Sequence, residues 1–298
     1  MKPASKNSVH NGSQLVSAFI YTFFCLFALI VIYPFWDTLV LSFSDPSVAT
    51  SLGAHFWNEH WSTSSYRYVF EEGRLFVAYY NTIFRTVLST VGSLVMTMLA
   101  AYPLSKRDLP HRNMITIFFL FTMYFGGGLI PSYLLMRSIG LINTRWVLIL
   151  PGIFSVYNMI IMRNYLMSMD QALEESAFIE GAGYWTVLLR IIVPLSKPVL
   201  ATVALWVAVA NWNAWFDCMI YIRDKNLVVL QQLLRDMMGT LSSNAQSMAY
   251  FNEYAETQIS TPTVRAATIL LTIGPIVAVY PFIQKYFVKG IMIGSLKG

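Results

Sequence analysis

The chain has 298 residues, 56% of them hydrophobic and only 12% charged, with a mean hydropathy of +0.55. An average soluble domain carries about 25% charged residues, so this chain has too few to cover a water-facing surface, and a bilayer must act as its solvent. The net charge of +5 is spread thinly, without the basic run that nucleic acid requires; Lys and Arg in cytoplasmic loops account for it.

The first fifteen residues are polar and place Lys2 and Lys6 ahead of an apolar run. That run is too long for a signal-peptide core and lacks a small-residue cleavage site, so it predicts a retained first span. Apolar segments follow the same pattern at 16–35, 82–103, 115–135, 146–162, 198–221 and 266–287, near the roughly 20 residues that cross a hydrocarbon core. Pro151 interrupts the fourth, which Tyr165 and Leu166 extend. Six spans put both termini on one side. The turn holding Lys106, Arg107 and Arg112 and the basic tail place that side in the cytoplasm, although Arg137 and Arg145 in a short outer loop run against the rule. The expected fold is an all-α membrane protein with six transmembrane helices. It divides into a cytoplasmic segment 1–15, a membrane domain 16–288 and a cytoplasmic tail 289–298.

Two long outer segments result, 40–80 and 222–263. Trp57, Trp61, Tyr66 and Tyr68 in the first suit an interfacial or docked loop. In the second, Leu227, Leu230, Leu234 and Met237 recur at helical spacing with a polar opposite face, a candidate dock for an external protein. Gly126 to Gly128 with Pro131 either loosen the third span at a gate or mark a close packing contact. Cys25 and Cys218 lie far apart in apolar stretches and read as small buried hydrophobes.

A polar island at 168–197 separates the fourth and fifth spans. Ser168 and Gln171 fit a capping box, and Glu174 and Glu175 fall in the first turns of the helix it would open. Ala172, Leu173, Ser176, Ala177 and Ile179 give a face of small and aliphatic residues. Gly181 and Gly183 permit a sharp turn; a second helix follows, and Pro194 and Pro198 mark the entry to the fifth span. A helix lying on the membrane surface is the alternative, but the acids and the scarcity of Lys and Arg are wrong for anionic lipid. Docking of a soluble partner fits better.

Here the sequence resembles a known family. From Glu175 through Ala177, Gly181 and Ala182 to Ile191 and Pro194, the spacing follows the coupling loop of binding-protein-dependent ABC importer permeases. Ser176, Glu180 and Val193 stand where Ala, Asp and Leu are usual, and Asp170 where proline is common. Asn81-Thr82, Ala100 to Lys106, Asn211 to Asp217 and the tail from Gln284 to Gly298 look like sugar importers of the maltose-transporter type. Phe125 to Tyr133 is similar to a branch handling fragments of alginate, aldouronate or rhamnogalacturonan.

The resemblance implies a type I importer permease fold and a set of partners: a second permease subunit in a heterodimer, two cytoplasmic ATPases, and an external binding protein that delivers an oligosaccharide. ATP and Mg would be bound by the ATPases, so this chain would hold no cofactor and would not be an enzyme. It also implies an ATPase-coupling set of Glu174, Glu175, Ala177, Glu180, Gly181, Ala182 and Pro194, and a contact tail with Lys285, Lys289 and Lys297.

An oligosaccharide path needs amide and hydroxyl groups and aromatic faces in an apolar wall. Asn211, Asn213, Trp215 and Asp217 are the candidates, with Tyr157 and Asn158 behind them. Intramembrane Asn and Asp face a bundle interior or a cavity, whereas the tryptophans also fit an interfacial belt. Arg85 or Arg137 would attract a uronate, unless each is a helix-end charge. No GxxxxGK[ST] is present, and His10, His55, His60 and His111 form no metal spacing. A permease for a non-sugar solute and a self-contained secondary transporter are the competing readings. The second would show inverted repeats, and the sequence has none.

Overall fold

A computed structural model of the chain describes residues 7–45, 56–58, 60–71, 73–237, 239, 262–275 and 277–278. Every regular element among them is helical, and the one extended pairing is an isolated antiparallel bridge between Ser44 and Trp61. The described residues fall into two compact units.

The first unit comprises Met1–Glu72 and Met237–Leu271. Its helix α1 spans Asn7–Ser42, and the stretch Val16–Ser42 is apolar on every side, with none of its most hydrophobic window buried. A helix hydrophobic all round finds its solvent in lipid or in another chain. Cys25 stands exposed on it, contrary to the buried position expected from sequence. Beyond α1 the chain folds back on itself. The Ser44 hydroxyl donates to the Val40 carbonyl at 2.9 Å, and the Asn58 amide donates to the same oxygen at 3.2 Å. Helix α2, Ser64–Glu71, lays Tyr66 against this turn, its hydroxyl donating to Ser42 Oγ at 2.9 Å. Ser65 donates to Thr263 at 2.8 Å. Of the loop aromatics, Tyr66 is docked while Trp57 and Trp61 are exposed.

The second unit comprises Gly73–Asp236 and Thr272–Gly298. Helix α3, Arg74–Ser105, is its central element and packs along two later helices. It starts after Gly73, whose φ of 69° needs a residue without Cβ. Helices α4, Arg112–Tyr124, and α5, Leu129–Ser138, meet at 107°. The run Gly126 to Gly128 sits at this break, with Gly128 at φ 84°, so the third apolar segment is a broken one. Two 3-10 turns, Arg145–Leu148 and Leu150–Gly152, carry Pro151 and lead at 46° into α6, Val156–Met167.

Next come α7, Ala172–Ile179, and α8, Tyr184–Val187, then a π turn at Leu188–Ile192 and α9, Val193–Leu195. The chain then bends 77° into α10, Lys197–Asn213, and ends its described helices in this stretch with α11, Phe216–Tyr221, and residues 230–237. Pro194 cannot donate to the Arg190 carbonyl, and Pro198 cannot donate to that of Pro194, which explains a π turn and a bend at this place. Among the described residues two helices are long and apolar enough to cross a membrane, or up to five spans if each bent pair counts as one. The sixth expected span, 266–287, is described only in part.

The core of this unit joins Met98, Ala101 and Tyr102 of α3 to Met159 and Met162 of α6 and to Val199, Val203 and Val207 of α10. In lipid there is no hydrophobic gain in pairing two apolar helices, so close approach through small residues must hold them. Helix α3 supplies that approach. Ser89, Ser93, Thr97 and Ala101, one turn apart, are all buried. Gly92 is pressed so closely against Ile153 that a Cβ would lie 2.6 Å from its Cδ1.

Candidate functional site

The polar island forms a folded platform. Helix α7 is capped by Asp170, whose Oδ1 accepts from Ala172 N at 3.0 Å. The expected capping box does not form, because Ser168 closes α6 instead, its hydroxyl donating to the Tyr165 carbonyl at 2.7 Å. Glu174 and Glu175 do fall in the first turn, where carboxylates oppose the helix dipole. At the other end Gly181 N donates to Phe178 O and Ala182 N to Ala177 O, both at 3.0 Å. This pair of bonds is a Schellman closure, and it needs the left-handed φ of 82° that Gly181 adopts. Gly183 has no such need: at φ −79° it is the extended cap of α8.

The faces of α7 have different tasks. Ala177, Phe178 and Ala182 pack inward on the core, so Ala177 does not belong to the outward face expected for it. Ala172, Leu173, Ser176, Glu175, Glu180 and Gly181 face outward, and Ile179 is 87% exposed. Tyr184, Trp185 and Leu189 continue the exposed apolar surface on the next helical stretch, and Pro194 is also exposed.

Glu174 is turned inward. It pairs with Lys106 at the end of α3 and accepts from the Tyr102 hydroxyl at 3.1 Å. The Lys106 ammonium also lies 4.5 Å from the Tyr102 ring centroid. Three groups thus fix α7 to α3 with their charges balanced. Lys106 and Tyr102 sit in the segment read as closing the second span, and nothing in their spacing pointed to Glu174.

The candidate path residues separate into two groups. Tyr157 and Asn158 at the start of α6 and Asn211 near the end of α10 line one pocket of about 370 Å³. Ser93, Ser155 and Trp206 complete its polar and aromatic wall, and no lining residue is charged. The Tyr157 and Trp206 rings stand 6.2 Å apart at 38°. Trp206 was missed in the sequence because a single Trp in an apolar helix carries no periodic signal.

Asn213, Trp215 and Asp217 lie at the break between α10 and α11, bonded elsewhere. Asp217 pairs with both terminal nitrogens of Arg85, one contact being Nη1 to Oδ1 at 3.1 Å, and Arg85 Nε donates to Asn211 Oδ1 at 3.2 Å. The Arg85 side chain is only 6% exposed and is fully occupied as a structural cation. Trp215 lies under the Arg235 guanidinium at 3.5 Å, and Asn213 accepts from Gln231 at 3.4 Å. The segment expected to dock an external protein is pinned at its start. Asn81 donates to the carbonyls of Asn226 and Val228, Thr82 accepts from Leu230 N, and Asn143 accepts from the backbones of Arg223 and Asp224. Lys285, Lys289 and Lys297 lie outside the described residues. Among the described residues no group of His, Cys, Asp and Glu could hold a metal ion.

A family model described as "Binding-protein-dependent transport system inner membrane component" matches residues 73–293. The chain is 35% identical over 290 residues to the polygalacturonan/rhamnogalacturonan transport system permease protein YtcP of Bacillus subtilis (strain 168), covering 96% of this chain and 99% of that protein. It is 37% identical over 275 residues to Protein LplC of the same organism, covering 90% of each. Among solved structures it matches a chain of a bacterial ABC transporter involved in the import of the acidic polysaccharide alginate. That match has a TM-score of 0.82 and 32% identity over 96% of this chain and 100% of the other.

Proposed function

The chain belongs to the family of binding-protein-dependent transport system inner membrane components, and from that premise we propose that it forms half of the translocation path of an ABC importer for an oligosaccharide. The observation that carries this reading is the pocket where Tyr157, Asn158, Trp206 and Asn211 converge. Amide groups hydrogen-bond sugar hydroxyls, and aromatic faces cover their apolar C–H surfaces. The relatives named for polygalacturonan, rhamnogalacturonan and alginate direct the proposal to fragments of acidic polysaccharides.

In this reading the chain crosses the cell membrane six times, with segment 1–15 and tail 289–298 in the cytoplasm around the membrane domain 16–288. A second permease subunit completes the path. Two ATPases bind ATP and Mg and take up the 168–197 platform through Glu175, Glu180, Gly181 and the exposed Ile179. Glu174, Ala177, Ala182 and Pro194 hold that platform in shape, and Lys285, Lys289 and Lys297 add contacts to the ATPase pair. An external binding protein delivers the solute.

The test is uptake of labelled uronic-acid oligosaccharides, chosen by identifying the solute that the cognate binding protein retains. Trp206→Ala and Asn158→Ala should reduce uptake about ten-fold, with ATP hydrolysis by the assembled complex preserved. Unchanged uptake in both variants would remove this pocket from the path.

A further inference from the structure

The turn between α3 and α4 carries two arginines and a histidine, of which Arg107 also lines the cavity beside Glu174 and Glu175 of the coupling platform. Arg107, His111 and Arg112 line a cavity of about 330 Å³ together with Leu109, Asn113 and Met114. No carboxylate lines it: Asp108, Glu174 and Glu175 line a neighbouring cavity whose wall Arg107 shares, and Glu174 is held by Lys106. The first turn of α4 also lacks an acid, so its backbone N–H groups add positive potential to that of the side chains.

Leu109 and Met114 are the apolar part of its lining. Met114 is 72% exposed and begins a row with Ile117, Phe118 and Phe121, all exposed. Positions 114, 117, 118 and 121 fall on one face of a helix. The cavity therefore has a basic lining at the end of two membrane helices, and Met114, which lines it, heads an exposed apolar row. An inorganic anion or an acidic protein surface matches only the basic lining. A phosphodiester carrying acyl chains matches both parts, and basic pockets between spans on the cytoplasmic side hold such headgroups.

We propose that this cavity binds the phosphodiester headgroup of an anionic membrane lipid, with the acyl chains along the face from Met114 to Phe121. The proposal rests on the membrane reading of α3 and α4 given above. The site lies on the same side as the coupling platform and is joined to it. Arg112 Nη1 donates to the Lys106 carbonyl at 3.3 Å, and Lys106 pairs with Glu174 on α7. A bound headgroup would hold Arg112, and with it the residue that anchors the platform.

The experiment titrates phosphatidylglycerol onto the delipidated full chain in detergent, with bound lipid counted by native mass spectrometry and phosphatidylcholine as control. Removing one cation near a membrane surface weakens anionic lipid by about five-fold. Arg107→Gln should show that loss, Arg107→Gln with Arg112→Gln roughly twenty-five-fold, and Arg107→Lys a near recovery. Phosphatidylcholine binding should not change. Equal phosphatidylglycerol affinity in wild type and both glutamine variants would overturn the site. Displacement of the lipid by millimolar inorganic phosphate would assign it to free anions instead. Intact lipid affinity with loss of co-purifying ATPase in Arg107→Gln would make it a protein contact. Lipid is counted without transport, so failure of the importer reading would leave these outcomes distinguishable.

Discussion

Arg85 on α3 and Asp217 at the start of α11 form a two-pronged ion pair between residues 132 positions apart in sequence. It spans the break where α10 ends at Asn213 and the backbone turns extended at Ala214. Arg85 also donates to Asn211, which lines the polar pocket. One guanidinium therefore fixes both the break and a residue of the pocket wall.

Removing one charge should cost more than removing both. Arg85→Leu leaves the Asp217 carboxylate without its cation in a low-dielectric setting, a loss of about 3 kcal/mol, whereas apolar replacement of a whole buried pair is often neutral. Thermal unfolding of the purified protein should place Arg85→Leu and Asp217→Leu well below wild type, with Arg85→Leu/Asp217→Leu nearer to it. Equal stability of all three variants would show that the pair holds nothing.

Lys106 and Glu174 should matter for coupling more than for folding. Lys106→Gln releases the inward anchor of α7, and coupling free energies are of the order of 1–3 kcal/mol. Transport per ATP hydrolysed in vesicles should therefore fall about ten-fold. The reversed pair, Lys106→Glu with Glu174→Lys, should recover most of it. If the reversed pair behaves like the single variants, the charges are not acting on each other.

Gly181 should not tolerate an L side chain. Beyond its chain neighbours the space around it is open, so the strain lies in its φ of 82°. A left-handed residue with a Cβ costs about 1–2 kcal/mol. Gly181→Ala should weaken co-purification of the ATPase while membrane insertion persists. Gly181→Asp, which adds an anion beside Glu180, should abolish it. Gly181→Asn, more at ease in this conformation, should stay closest to wild type.

Gly92 illustrates the opposite case, a glycine required by proximity. Gly92→Ala forces Ile153 to move, and overpacking of this kind costs about 1–3 kcal/mol. Ile153→Ala removes both side-chain atoms that the new Cβ meets at 2.6 and 2.9 Å. In a double-mutant cycle the pair should show a coupling energy above about 0.5 kcal/mol. Additive losses would mean that the contact is not tight.

The sequence was most informative where backbone chemistry is local. Gly181 was legible because only glycine enters the left-handed region without a Cβ clash, and Glu174 and Glu175 because the first turn of a helix favours acids. Ser168 misled, since its hydroxyl serves the end of one helix as readily as the start of the next. The long third apolar run read as a single span, because hydropathy does not register a four-residue backbone break at Phe125 to Gly128. Long-range partnerships left no local trace. The pairing of Asp217 with Arg85 and that of Lys106 with Glu174 could not be read from the spacing of either residue. Tyr157, Asn158 and Asn211 were identified by their polarity in apolar surroundings, but their convergence depends on the packing of α6 and α10.

Helix α3 is held about a third of the way along by Arg85 and anchored beyond its end by Lys106, a separation of about 30 Å at 1.5 Å per residue. Tipping a rod of that length by about 5° displaces its far end by roughly 3 Å, close to the diameter of a water molecule. A push too small to remodel α7 would then be enough, delivered over this lever arm, to admit or exclude one layer of solvent beside Asn211.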